Sequence, residues 1–252
     1  MRNALEVDHL RMYFESLHAL DDISFGVEEK SVTILIGPNG SGKTTLINVA
    51  SGVYKPNSGR VIYEGKDITG LEPFRINRLG LVRTFQIPTL FWKLTVLENV
   101  MVPQRNHPGE TFSRSIFKRS WANKERETAE QAFNVLRVIG LLHMWDQPAN
   151  SLSGGQMKLL ELGRVLMSGA TVIMLDEPIS GVNPTLAHEI FSKLLTMRDQ
   201  YGLTFLIVEH RLDIALSYVD RVVAMAYGKL IAQGKPESVM TNADVIDAYL
   251  GG

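Results

Sequence analysis

The octapeptide Gly37-Pro38-Asn39-Gly40-Ser41-Gly42-Lys43-Thr44 fits G-x-x-x-x-G-K-[ST], and it stands between an apolar run at residues 32–36 and a helix-forming stretch at 45–50. Both flanks suit a phosphate cradle. Glycines let the backbone curl so that successive N–H groups point inward at phosphate oxygens, and the following helix adds its positive N-terminal end. Lys43 can neutralise the β- and γ-phosphates of a nucleotide, and the Thr44 hydroxyl can complete the shell of Mg2+; residues Gly37 to Thr45 are therefore assigned to nucleotide binding. By average residue frequencies the bare pattern arises by chance in on the order of one chain in a hundred of this size, and its strand-loop-helix setting makes a simple glycine-rich turn the poorer reading.

Open parallel sheets place their ligands beyond the carboxyl ends of the strands, so such a loop calls for an acid at the end of a neighbouring strand. Thr171-Val172-Ile173-Met174-Leu175-Asp176-Glu177 supplies one. The run is apolar throughout, as a strand buried on both faces should be, and it closes on two carboxylates. Asp176 is expected to hold Mg2+ through water, and Glu177 to polarise an attacking water. Alone, such a strand end is commonplace; its weight comes from the phosphate loop.

A further pentapeptide narrows the class. Leu152-Ser153-Gly154-Gly155-Gln156 ends twenty residues before Asp176 and precedes a helix-forming stretch at 157–167. At average composition it should arise in fewer than about one in a thousand chains of this length. With Ser153 as cap and two glycines exposing backbone N–H groups, Ser153, Gly154, Gly155 and Gln156 make a second anion site at a helix start.

Composition supports one sizeable globular unit. The chain has 252 residues, 45% hydrophobic and 21% charged. At this length a fold buries roughly 70–75% of the surface its unfolded form exposes, so no disulfide or structural zinc is needed. The absence of Cys removes thiol catalysis and Cys-ligated metals. A net charge of -1 provides no global field for nucleic acid, which is not expected as a partner. No apolar run reaches the ~18 residues of a membrane span. The first ten residues, with Arg2, Glu6 and Asp8, lack the pattern of a secretory signal, which points to the cytoplasm.

Three zones follow one another. Residues 5–85 read as short strands between turns, at 23–27, 31–36 and 60–63. Residues 87–169 turn to helical period, clearest at 124–139, where Ala129, Ala132, Phe133, Leu136 and Ile139 recur at helix spacing. Between Arg105 and Arg126 six basic residues interleave with Phe112, Ile116, Phe117 and Trp121, either as a solvated face with core anchors or as a surface that meets a partner or lipid headgroups. From residue 170 apolar strands at 171–175, 204–208 and 222–225 alternate with helices at 184–199 and 213–219, as in βαβ units around a parallel sheet. A final helix is expected at 243–250, capped by Thr241-Asn242. His9, His18, His107, His143 and His188 show no metal-ligand spacing.

Together these residues resemble an ATP-binding cassette (ABC) ATPase over residues 5–250. Besides the three motifs, Gln86 in Val82-Arg83-Thr84-Phe85-Gln86 matches the family's Q-loop, and His210, ending Leu206-Ile207-Val208-Glu209-His210, its switch histidine. Phe14 occupies the aromatic position that stacks on adenine, with Tyr13 the alternative. The resemblance implies an α/β P-loop NTPase fold with a RecA-like core, an N-terminal antiparallel β subdomain and an inserted α-helical subdomain. It implies one cassette domain over 1–252, with the core at about 1–86 and 165–252 and the helical part at about 87–164. Finer detail in Leu81 to Gln86, Leu94-Thr95-Val96-Leu97-Glu98-Asn99, residues 105–126, Val208 to Asp213 and Val245 to Gly251 resembles the branched-chain amino-acid uptake branch of bacterial and archaeal ABC importers. One departure stands out: the acid usual in the D-loop is replaced by Asn183, which puts a charged contact across a dimer in doubt.

The resemblance implies two chains paired head to tail with ATP at the seam, the Ser153 signature of each facing the other's phosphate loop. Lys43, Glu177, His210 and Gln86 would form the catalytic set, and Thr44, Gln86 and Asp176 would surround Mg2+. It further implies multi-span permease subunits, docked in a groove beside residues 86–99 with Phe91 and Trp92, and indirectly a substrate-binding protein. The chain would then sit peripherally on the cytoplasmic face of the membrane. Trp92 is read equally well as core packing. The motifs leave the cargo open, since an importer of urea or amides or an exporter would carry them too. A soluble ABC ATPase of translation or DNA repair would bring a second cassette, a long coiled coil or zinc modules.

Overall fold

Period-two alternation shapes the start of the chain. In the computed structural model, which describes residues 2–84, 90–105 and 122–250, strand β1 (Asn3–Phe14) buries Leu5, Val7, Leu10 and Met12. The three-residue step from Val7 to Leu10 would turn Leu10 outward in a regular strand. A register shift there, with His9 at φ 48°, restores its facing. Strand β2 (Leu17–Glu28) answers with Leu20, Ile23, Phe25 and Val27 on the same core.

The remaining strands are β3 (Val32–Ile36), β4 (Ser58–Tyr63), β5 (Lys66–Asp67), β6 (Leu81–Arg83), β7 (Val172–Asp176), β8 (Thr204–Val208), β9 (Arg221–Ala226) and β10 (Lys229–Gly234). They divide into an antiparallel sheet of order β2-β1-β4-β5 and a six-stranded sheet of order β10-β9-β3-β8-β7-β6. In the larger sheet β9, β3, β8, β7 and β6 run parallel and only β10 is antiparallel. Every residue of β3 and β8 is buried, which is why both read as unbroken apolar runs. The helix Pro184–Tyr201 buries Ala187, Ile190, Phe191, Leu194 and Met197, a stripe at three- and four-residue steps.

The chain forms two compact units, Met1–Gln86 with Thr171–Gly252, and Ile87–Ala170. Return to the first unit comes at Thr171, later than the expected 165, because the helix Gly154–Met167 runs on past that point. Within the second unit, Val96–Met101, Ala122–Ile139 and Gly154–Met167 pack together around Val96, Val100, Leu136, Ile139 and Leu160. Gly163 permits the contact, since a Cβ there would stand 2.6 Å from Ile139 Cδ1.

The structure corrects the reading in three places. The zone taken as strands contains a helix, Pro73–Leu79, started by Pro73 and closed by Gly80 at φ 118°. It buries Ile76 alone, so it leaves no periodic stripe to read. The helix expected at 213–219 is a short α-helix, Leu212–Ala215, followed by a tighter turn, Leu216–Tyr218. The helices expected at 45–50 and 157–167 begin earlier, at Lys43 and Gly154. Gln86 and most of the basic segment at 105–126 lie outside the described residues.

Candidate nucleotide site

β3 delivers the chain into the phosphate loop at Gly37, and two glycines there are dictated by space. A Cβ on Gly37 would lie 2.1 Å from the Met225 carbonyl oxygen, and one on Gly42, at φ 100°, 2.5 Å from that of Ala19. The Lys43 ammonium folds back over the loop, donating to the carbonyl oxygens of Gly37 at 2.8 Å and Pro38 at 3.0 Å and to Ser41 Oγ at 3.3 Å. Burial pushes its pKa below the ordinary lysine value, opposed by the nearby carboxylates of Glu177 and Asp176. Thr44 is exposed and Thr45 half-buried at the start of the helix Lys43–Ala50. Asn39 and Gly40 are exposed at the rim.

The sheet order then assembles the acids. Asp176 ends β7 in register with Val208 of β8, and Val208 pairs with Leu35 of β3, so three neighbouring strands empty onto one edge. Glu177 leaves β7 at φ 51°, a left-handed backbone rare outside glycine, with its N–H donating to the Val208 carbonyl at 2.9 Å. His210 Nε2 lies 3.3 Å from Glu177 Oε1. The loop with Lys43, the two carboxylates and the histidine expected from sequence therefore meet in one unit.

Four residues that sequence reasoning missed hold this arrangement. Glu209, 2% exposed, accepts from Ile179 N–H at 2.8 Å through Oε1 and from His210 N–H at 3.0 Å through Oε2. Arg211 donates to the Val182 carbonyl at 3.1 Å. The loop after Glu177 is thus tied twice to the loop of His210. Arg83, at the end of β6, donates to Asp176 Oδ2 at 3.0 Å and to Asn48 Oδ1. For Arg83 and Glu209 the sequence offers only a charge at the close of an apolar strand, without saying which strand lies beside it.

Asn183, in place of the usual acid, accepts from Leu186 N–H at 2.9 Å and caps the helix Pro184–Tyr201. Phe14 ends β1 with an exposed ring, its edge toward Tyr54 at 5.5 Å, while the Tyr13 ring lies 4.3 Å from that of His18.

The second unit carries the other helix start expected to bind an anion. Ser153 Oγ accepts from Gln156 N–H at 3.4 Å and Gln156 Oε1 accepts from Ser153 N–H at 2.9 Å, a reciprocal capping box. The Gln156 side chain is thereby engaged with its own helix. Gly154 is exposed, with nothing within 4 Å of where a Cβ would stand, so its backbone is open to close approach. Phe91 and Trp92 are 48% and 47% exposed, which removes core packing as the role of Trp92. Asn99, fully buried, holds their loop by accepting from Phe91 N–H at 2.9 Å and donating to the carbonyls of Phe91, Leu94 and Thr95.

The family model described as ABC transporter matches residues 20–180. The chain belongs to the ABC transporter family. As an ATP-binding subunit of that family it is an ATPase. A second model, described as branched-chain amino acid ATP-binding cassette transporter, matches residues 229–252. The cassette is 47% identical to the probable branched-chain amino acid transport ATP-binding protein LivG of Archaeoglobus fulgidus, over 98% of this chain and 95% of that one. It is 38% identical to the high-affinity branched-chain amino acid transport ATP-binding protein BraF of Pseudomonas aeruginosa, over 99% and 98%. Among solved structures, a nucleotide-free ATP-binding cassette from an ABC transporter superposes with TM-score 0.84 at 45% identity, and an ADP conformation of such a cassette with 0.86 at 44%, each over the whole of both chains. Among the described residues no helix is long and apolar enough to cross a membrane, and no group of three or more His, Cys, Asp or Glu could hold a metal.

Proposed function

We propose that this cassette drives import of branched-chain amino acids by closing on a second cassette around ATP. One observation supports the mechanism: two glycine-flanked helix starts, at Lys43 and after Ser153, lie on separate units, and each is read here as a phosphate-binding end. In the proposed head-to-tail pair the Ser153 helix of each chain meets the triphosphate held by the other's Lys43, so negative charge is neutralised from both sides. Glu177, oriented by His210, takes a proton from the water that attacks the γ-phosphorus as the bond to ADP breaks. Loss of the bridging phosphoryl group removes the attraction, and the pair opens. Gln86 is assigned to sensing metal and phosphate, and Phe14 to stacking on adenine.

The donor set suits Mg2+. Thr44 and Asp176 offer hard oxygen ligands, too few for a dedicated cage, as expected of an ion held largely by phosphates and water. Bound there, Mg2+ would neutralise charge on the β- and γ-phosphates. The exposed Phe91 and Trp92, braced by Asn99, are the proposed docking point for permease subunits in the membrane. The cargo assignment rests on the relatives' names and on the match at 229–252.

Purified Glu177→Gln protein should form an ATP-dependent dimer by light scattering that Lys43→Ala protein cannot form; absence of ATP-dependent association would sink the scheme. Membrane proteins recovered with the chain from detergent extracts, once reconstituted, should take up labelled leucine in competition with isoleucine and valine and not with urea.

A further inference from the structure

Arg83 closes β6, and only 11% of its side chain is exposed. Its Nη2 donates to Asp176 Oδ2 at 3.0 Å, while Nη1 donates to Asn48 Oδ1 on the helix that follows the phosphate loop. The β6–β7 register, with Arg83 opposite Met174, together with the Thr84 N–H bond to the Met174 carbonyl at 3.0 Å, fixes the strand end from which the side chain reaches. The planar fork therefore joins three elements at one carboxylate. That carboxylate is the one assigned to Mg2+.

The Arg83 guanidinium is a cation seated on the Asp176 carboxylate. It competes with a dication for the same oxygens, in a place where Asp176 is itself only 18% exposed and screening by water is weak. Asn48 gives the fork a second anchor, so Arg83 can loosen its hold on Asp176 without losing its place. We infer that Arg83 is a positioning residue that holds the Asp176 carboxylate before Mg2+ arrives and sets the Mg2+ concentration at which nucleotide is bound. The inference rests on Asp176 as the metal's protein ligand.

The test uses the full chain and ADP, which avoids turnover, with calorimetric binding measured across a Mg2+ series and in EDTA. Replacing the cation by Arg83→Gln should lower the Mg2+ midpoint roughly three- to tenfold while leaving affinity in EDTA within about twofold. Arg83→Lys, which keeps the charge but not the planar fork, should not lower the midpoint. Asn48→Ala, which leaves both charges and removes the second anchor, should raise the midpoint about two- to threefold. Opposite shifts for Arg83→Gln and Asn48→Ala are a signature that general loosening of the fold would not produce. An Arg83→Gln midpoint that is unchanged or higher overturns the inference, as does an Arg83→Lys shift equal to it. If Arg83→Gln does not fold, Asn48→Ala decides, and an unmoved midpoint there overturns it. Asp176→Asn separates the two levels. Should it fail to raise the midpoint, the metal assignment falls and takes the inference with it; should it raise the midpoint while Arg83→Gln does nothing, the inference falls alone.

Discussion

Lys43 is a cation that folding makes slightly uncomfortable, because burial lowers its pKa from the ordinary 10.5 and the neighbouring Glu177 and Asp176 only oppose that shift. Between the lowered value and 10.5 the unfolded chain binds more protons than the folded one, so stability rises with pH across that window. Phosphate oxygens beside Nζ reverse the preference. ADP binding in the same window should take up a proton, visible as a dependence of binding heat on the buffer's ionisation enthalpy, and Lys43→Arg should abolish the uptake. Glu209 allows a second test. Glu209→Ala leaves the buried Ile179 N–H without its acceptor and should cost roughly 1–3 kcal/mol in urea unfolding. Because the His210 N–H loses its acceptor too, kcat should fall while ADP affinity holds. That Lys43, Asp176 and Glu177 share a site was legible in sequence because each belongs to a contiguous motif, and the family resemblance added His210; the structure places these four together. Arg83, Asn48, Glu209 and Arg211 were not legible there, because their partners are supplied by strand register: Arg83 meets Asp176 only once β6 lies beside β7.

Elements that bury a stripe or a full run were legible, and those that bury little were not. β3 and β8 read as strands because nothing in them faces water, and 124–139 read as a helix because Ala132, Leu136 and Ile139 share one face. The helix Pro73–Leu79 hid because its boundary residues, rather than a stripe, define it. The helix at Pro184–Tyr201 shows what the unusual D-loop residue does. Asn183 Oδ1 caps Leu186 N–H, and a carboxylate oxygen can accept the same bond. Asn183→Asp should therefore leave thermal stability within about 0.5 kcal/mol, whereas Asn183→Ala should lose about 1 kcal/mol with the cap.

On the scale of the molecule, the switch in hydrophobic period near 86 and 170 is visible in the sequence, whereas the family resemblance put the return to the core at about 165. The sheet order stayed hidden: no local pattern says that β3 lies between β8 and β9, or that β6 is the edge beyond β7. That edge pairing has a consequence for dissection. The chain leaves the first unit after β6 and comes back at β7, two strands already hydrogen-bonded with Leu81 opposite Val172, so everything from Ile87 to Ala170 amounts topologically to one oversized crossover. Parallel neighbours need only a dozen or so residues to connect them. A flexible bridge of about that length in place of the excursion should therefore yield a minimal nucleotide-binding protein that retains ADP, yet lacks the Ser153 helix through which the proposed pairing with a twin would run.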